Sequence, residues 1–255
     1  METVKVLAVL QARTTSTRLP GKVLLPVLGK PILELMIERI NNAKLIEEVI
    51  LITSTNPKDD ELVEFAKSRD LKYFRGKELD CLDRHYQAAK EFKLDFFAKT
   101  TSDCCLIDPQ TIDRIVKSFL KNISKYDYVS NITPPTFPDG LDVEVFNFKI
   151  LEKVWKNAMN NFDREHTTTY IRSNPKKFKI HNISNKLDKN LFKSQRWCLD
   201  YLEDYNFIKK IYENLYPTNK FFSMIDIINY LEKNPKIYAI NHHLIKFNTV
   251  HELQS

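Results

Sequence analysis

From Val4 to Leu10 the chain is almost continuously apolar, and at Gln11 it turns abruptly polar. A short apolar run bounded in this way predicts a strand buried on both faces, as in a parallel sheet. Beyond Pro31, Ile32, Leu35, Met36 and Ile40 recur at helical spacing. Val49 to Ile52 then predicts a second buried strand, ending at Thr53-Ser54-Thr55. The same alternation continues with a helix from Lys58 to near Arg69, a strand at Lys72–Phe74, a helix at Asp80–Glu91 and a strand at Phe96–Lys99. A helix over 109–120, led in by Pro109, and a strand at Tyr128–Ser130 follow. Strands alternating with helices of about ten residues imply parallel pairing through crossovers, so the predicted fold is α/β: a doubly wound, Rossmann-like, mostly parallel sheet.

The prolines of Thr133-Pro134-Pro135-Thr136-Phe137-Pro138 interrupt this rhythm. The section about 132–195 is predicted to be less regular, with strands at Val143–Phe146, Phe178–Ile183 and, just after it, Arg196–Leu199. Helices are expected near 149–158, 163–172 and 203–215. No repeat, low-complexity tract or flexible linker divides the chain, so a single domain over 1–255 is expected.

Composition narrows the classes. With 43% hydrophobic and 28% charged residues the chain has the makeup of a folded globular protein rather than a disordered one. Its apolar runs fall far short of the ~20 residues that span a bilayer, and Glu2 and Lys5 argue against a secretory leader, so no membrane insertion and a cytoplasmic location are expected. The net charge of +6 suits a polyanionic ligand, but the basic residues are dispersed, without a stripe fit for nucleic acid. Cys81, Cys104, Cys105 and Cys198 show no metal-type spacing and are read as reduced, partly buried thiols.

Three polar strings follow apolar strands, where loops gather at a sheet's carboxyl edge. The first, Gln11-Ala12-Arg13-Thr14-Thr15-Ser16-Thr17-Arg18-Leu19-Pro20-Gly21-Lys22, has hydroxyls and three cations but neither the dinucleotide fingerprint nor a P-loop ending. Phosphate neutralisation here must fall to side chains: arginine binds two oxygens at once, and lysine acts as a point charge. The second, Lys99-Thr100-Thr101-Ser102-Asp103-Cys104-Cys105-Leu106-Ile107-Asp108, offers Asp103 as a ligand for a hard cation, with Asp108 as a helix cap. The third, Arg196-Trp197-Cys198-Leu199-Asp200-Tyr201-Leu202-Glu203-Asp204, offers Asp200 as a second carboxylate, with Glu203 and Asp204 better suited to capping.

These strings carry a family resemblance. Ala-Arg-x-x-Ser-Thr-Arg-Leu-Pro-Gly-Lys closely resembles the start of the spore-coat polysaccharide cytidylyltransferase family, related to the CMP-Kdo and CMP-acylneuraminate synthetases. The Asp103 segment resembles the family's Ala-Asp-Cys-Pro-Leu-Ile-Asp with Cys105 in place of proline, and the Asp200 segment its Val-Asp-Tyr-Pro-Glu-Asp with Leu202 in place of proline. Asp80 to Tyr86 resembles Asp-Val-Leu-Asp-Arg-Tyr-Tyr, apart from Cys81 and His85. Gly140 to Phe146 and Arg164 to Ile171 resemble two further family blocks.

The resemblance implies a fold of the nucleotide-diphospho-sugar transferase type, a homodimer, and a magnesium-dependent enzyme that joins CTP to a small acidic or sugar-like acceptor for surface polysaccharide. Arg13, Lys22, Asp103 and Asp200 would be catalytic, with Asp103 and Asp200 on the metal. Gln11, Ala12, Arg13, Ser16, Lys22, Thr53, Arg84 and Ser102 would bind nucleotide; Asp142, Glu144, Glu165 and His166 would meet the acceptor. Two competing readings stay open on the sequence: a glycosyltransferase using a premade nucleotide sugar, and a catalytically silent nucleotide-binding subunit.

Overall fold

A computed structural model describes residues 6–248; Glu2, Val4 and Lys5 lie outside the described residues. The apolar run forms β1 (Val6–Gln11), flanked by β4 (Ile46–Ser54) and β6 (Phe96–Thr101), both parallel to it. Between β1 and β4 come a small hairpin, β2 (Pro26–Val27) with β3 (Lys30–Pro31), and helix α1 (Ile32–Asn41). Helix α2 (Asp60–Lys67) leads to β5 (Lys72–Gly76), and α3 (Cys81–Glu91) leads to β6. Beyond α4 (Pro109–Lys121), β7 (Tyr128–Ser130), β8 (Glu144–Asn147) and β9 (Ile180–Asn182) complete a seven-stranded sheet ordered β5-β4-β1-β6-β8-β7-β9. It is mostly parallel, with β8 antiparallel to both β6 and β7.

Packing explains the periods. Along β4, Val49 and Leu51 join the core under α1, α2 and α4, whereas Ile50 and Ile52 join the opposite core under α3 and α5 (Phe148–Asn157). Both faces are covered, which is why the strand reads as an unbroken apolar run. A third core unites α8 (Leu202–Leu215) and α9 (Met224–Lys233) with Trp197, Leu199 and the Ile32 and Leu35 edge of α1; the short α10 (Pro235–Tyr238) packs beside them. No helix among the described residues is long and apolar enough to cross a membrane.

Two expected elements differ. The helix expected over 163–172 is split into α6 (Asn161–Glu165) and α7 (Thr169–Arg172), because Thr167 adopts a left-handed φ of 44° that no helix accommodates. The segment Arg196–Leu199 is extended but is not a strand of the sheet; it touches Asp139 through a single bridge. Trp197 and Leu199 point into the α8–α9 core, and that burial produces the alternation that mimics a strand.

The segment is instead laid across two loops. Trp197 N–H donates to the Asp139 carbonyl (2.7 Å) and Leu199 N–H to the Asp103 carbonyl (2.9 Å). At the first crossing a side chain cannot fit, since a Cβ on Gly140 would lie 2.5 Å from the Trp197 carbonyl carbon and the Cys198 nitrogen, and Gly140 has φ 104°. Gly140→Ala should therefore lower stability by about 3 kcal/mol or more, combining left-handed strain with displacement of the 196–200 segment. Urea or thermal unfolding checks this; a loss below about 1 kcal/mol would show that the crossing relaxes freely.

Candidate active site

Chain order reverses direction beside β1: β4 and β5 lie to one side of it, β6 to the other. At such a switch point the loops leaving adjacent strands part and open a crevice. Here Ser102 N–H donates to the Gln11 carbonyl (2.9 Å), so the loops after β1 and β6 start side by side. The 12–21 loop is tied down at its base. Buried Asp59 accepts from Thr14 N–H (2.7 Å), from the Thr14 hydroxyl (2.8 Å) and from the Ser54 hydroxyl, and Gly21 N–H closes the loop onto the Thr14 carbonyl (2.9 Å).

The crevice has two hollows that meet. The first, about 380 Å³, is walled by Gln11, Arg13, Ser16, Lys22, Ser102 and Glu165. The second, about 430 Å³, is walled by Asp139, Asp142, Glu144, Thr168, Arg172 and Arg196. Arg18, Lys99, Thr101, Asp103, His166 and Asp200 border both. Distant parts of the sequence thus meet around Asp103 and Asp200, with the cationic loop on one side.

Asp200 is the electrostatic centre. Its Oδ1 pairs with Lys22 Nζ (2.9 Å) and the Arg18 guanidinium (2.7 Å); its Oδ2 faces Arg196 at 3.4 Å. Lys22 also donates to the Leu199 carbonyl at 2.6 Å. Burial alone would raise the Asp200 carboxyl, but Lys22 and then Arg18 draw it down to about 2. Arg196, with its side chain 1% exposed, forks onto Asp204 through two 3.0 Å bonds. Asp204 in turn accepts from the backbone N–H groups of Asp200 and Tyr201, both at 3.0 Å, as a cap of α8.

The second hollow interleaves carboxyl groups (Asp103, Asp139, Asp142, Glu144, Asp200) with cations (Arg18, Lys99, Arg172, Arg196, Lys246), its charges sorted by environment. Glu144 accepts from Lys99 (2.5 Å) and the Tyr128 hydroxyl (2.5 Å); burial pushes its carboxyl up, yet Lys99 and Arg172 bring it down to about 2. Burial raises Asp139 to about 7 against the pull of the Cys198 thiol and Arg196, and raises Asp142 well above the usual carboxylate range, with Asp139 and Asp103 adding to the effect. The carboxyl groups of this wall are thus pulled in opposite directions, Glu144 downward by its cations and Asp139 and Asp142 upward by burial.

Not every expected residue reaches the crevice. Arg84 is fully buried, donating to the Lys77 carbonyl (2.9 Å) and the Cys81 sulfur (2.9 Å), and holds the entry to α3 instead. Thr53 and Ala12 are buried outside both hollows; the Ala12 N–H continues the β1–β4 pairing by donating to Ile52 (3.0 Å). Glu165 borders the first hollow, across from the Asp142 and Glu144 side where acceptor contact was expected. His166 borders both hollows, its ring set edge-on against Phe162 at 4.6 Å. The four cysteines are all buried and free, and burial pushes Cys104, Cys105 and Cys198 up, away from reactive thiolate.

Lys99, Asp139, Arg172 and Arg196 were not anticipated. A lysine directly after the apolar run Phe96–Ala98, still within the buried part of β6, is the available signal for the first.

The fold is shared with solved nucleotidyltransferases, and the chain is an enzyme of that class. A cytidylyltransferase from Leptospira borgpetersenii matches over 93% of this chain and 97% of its own, with TM-score 0.84 and 34% identity. A CMP:2-keto-3-deoxy-manno-octonic acid synthetase solved with CTP shares the fold at TM-score 0.61 and 13% identity, over 82% of this chain and 98% of its own. The cytidylyltransferase family model matches residues 7–235, and the chain belongs to that family. Among its relatives, Methanocaldococcus jannaschii MJ1063 is 37% identical, over 93% of this chain and 94% of its own length. The Bacillus subtilis spore coat polysaccharide biosynthesis protein SpsF is 28% identical, over 90% and 95%.

Glu144→Gln should leave Lys99 and Arg172 without their buried counter-charge and destabilise the protein by about 3–5 kcal/mol. Because the folded carboxyl titrates at about 2, its contribution is complete above the unfolded value near ~4.3 and fades as pH falls towards 2. Urea unfolding at pH 7 and pH 3 measures both. A loss at pH 3 as large as that at pH 7 would contradict the assignment.

Proposed function

We propose that the chain transfers cytidylate from CTP to a small acidic or sugar-like acceptor, making a CMP- or CDP-linked precursor of a surface polysaccharide. The observation that carries this reading is the meeting of Asp103 and Asp200 at the join of the two hollows, between the cationic loop and the wall of interleaved carboxyl groups and cations. Arg13, Ser16 and Lys22 would receive the triphosphate, with Gln11 and Ser102 at the paired strand ends beside it. The acceptor would lie against Asp142, Glu144 and His166. Its oxygen would attack the α-phosphorus in line as the bond to the bridging oxygen breaks, and pyrophosphate would leave with that electron pair. The acceptor's proton, if it presents a hydroxyl, would pass to solvent or to a carboxylate of the second hollow.

The donor set fits a hard divalent cation such as magnesium. Asp103 and Asp200 supply carboxylate oxygens, and Asp200 Oδ1 already holds positive charge in the form of Lys22 and Arg18. Among the described residues no group of three or more His, Cys, Asp or Glu could hold a metal, so phosphates and water would complete the shell. When bound, the cation would offset phosphate charge. The chain's own part is to hold the triphosphate and the acceptor in line and to shield them from bulk water. The homodimer that the family resemblance implies is proposed with this reading.

A pyrophosphate-release screen of the four nucleoside triphosphates against sugar acids, phosphosugars and small phosphorylated acids tests the assignment. CTP should be the productive donor; equal release from all four triphosphates would contradict it. In the productive mixture, folded Asp103→Asn and Asp200→Asn should each cut turnover by about 10²-fold or more, and normal turnover in both would remove them from the site. Lys22→Ala should raise the KM for CTP by about tenfold, the equivalent of one lost charge-assisted contact. An unchanged KM would exclude Lys22.

A further inference from the structure

The two oxygens of Asp200 hold partners of different kinds. On Oδ2 sits Arg196, a buried guanidinium forked onto Asp204, which is itself fully buried and also accepts from Asn241 (2.9 Å). Pulling that cation away would strand buried charges on both sides, which is costly. On Oδ1 sit Lys22 and Arg18, both from the loop after β1. The Arg18 side chain is 51% exposed, and a half-exposed ion pair of this kind is weak. A triphosphate in the first hollow offers these two cations several negative oxygens in place of one shared carboxylate oxygen.

We propose that Asp200 exchanges partners: Arg196 stays on Oδ2 as a fixed tether, while Lys22 and Arg18 leave Oδ1 for the triphosphate and release that oxygen to a divalent cation. The proposal rests on the nucleotide-and-metal reading above. It makes Arg18 and Lys22 internal competitors of the metal when no nucleotide is present. Arg196 is then a positioning residue, keeping the carboxylate from following the departing cations. Nucleotide and cation must consequently strengthen each other's binding by the same factor.

Mn²⁺ serves as the probe, its free concentration read by electron paramagnetic resonance with and without CTP and compared with protein-free Mn²⁺–CTP mixtures, so that the metal held by the nucleotide alone is subtracted. The unaltered protein should bind Mn²⁺ at least about tenfold more tightly with CTP than without, a coupling of ordinary allosteric size. Arg18→Ala, a change at a half-exposed side chain, should tighten Mn²⁺ binding about two- to fivefold in the absence of CTP and reduce the gain that CTP brings. Arg13→Ala removes a cation from the same hollow that has no ion pair with Asp200 among the described residues, and should change Mn²⁺ binding less. Arg196→Lys keeps the charge but loses the fork, and should weaken Mn²⁺ binding in both conditions.

Unchanged or weaker Mn²⁺ binding in Arg18→Ala, or an equal tightening in Arg13→Ala, overturns the exchange. Normal Mn²⁺ binding in Arg196→Lys overturns the tether. If CTP brings no gain in the unaltered protein, the metal-and-nucleotide reading falls and the proposal with it; a gain there with no Arg18 effect removes the exchange alone.

Discussion

The site depends on pairing one partly buried carboxylate, Asp200, with cations from two parts of the chain. Without those cations, partial burial would push this carboxyl upward. Lys22 and Arg18 arrive from the loop after β1, while Arg196 arrives from the same segment as Asp200 and is held by Asp204. Because Lys22 also bonds the Leu199 carbonyl, and Leu199 N–H bonds the Asp103 carbonyl, the same contacts fix the backbone that carries both metal-candidate carboxylates. The distances within the crevice therefore follow from charge pairing as much as from the sheet.

The sheet supplies the frame. Its switch point brings the ends of β1 and β6 side by side, and Asp59 pins the intervening loop at Thr14, so the loop's cations are presented from a fixed base. On the far side of Asp103 and Asp200, Lys99 and Arg172 keep Glu144 ionised, while Asp139 and Asp142 are pushed upward by burial. One crevice thus joins a hollow lined by the cationic loop to a hollow in which carboxyl groups and cations are interleaved. Thr167, strained at positive φ between α6 and α7, sets the backbone that carries His166 to the border of the two.

The centre of the sheet was legible because burial on both faces makes β1 and the 49–52 stretch of β4 apolar, and the two-sided α4 follows from its helical period. Asp103 and Asp200 stood out because each follows an extended segment expected to be a buried strand. Arg196–Leu199 misled for the same reason, since burial of Trp197 and Leu199 in another core gives the same alternation as a strand. The break at Thr167 and the burial of Arg84 left no pattern, because both are decided by tertiary contacts: Thr167 packs against His85, and Arg84 bonds carbonyls in the turn before α3. Arg18 was visible as charge, but its partner lies 182 residues away (200 − 18), and no local spacing encodes that.

The central claim is that Asp200 shares a divalent cation with the triphosphate of CTP. Replacing Asp200 with cysteine changes a hard oxygen ligand for a soft sulfur one and so changes which metal the site prefers. Calorimetric titration of the folded Asp200→Cys protein with CTP is the direct measurement. Binding should be lost with magnesium and regained with cadmium. Binding with magnesium as tight as in the unaltered protein would contradict it.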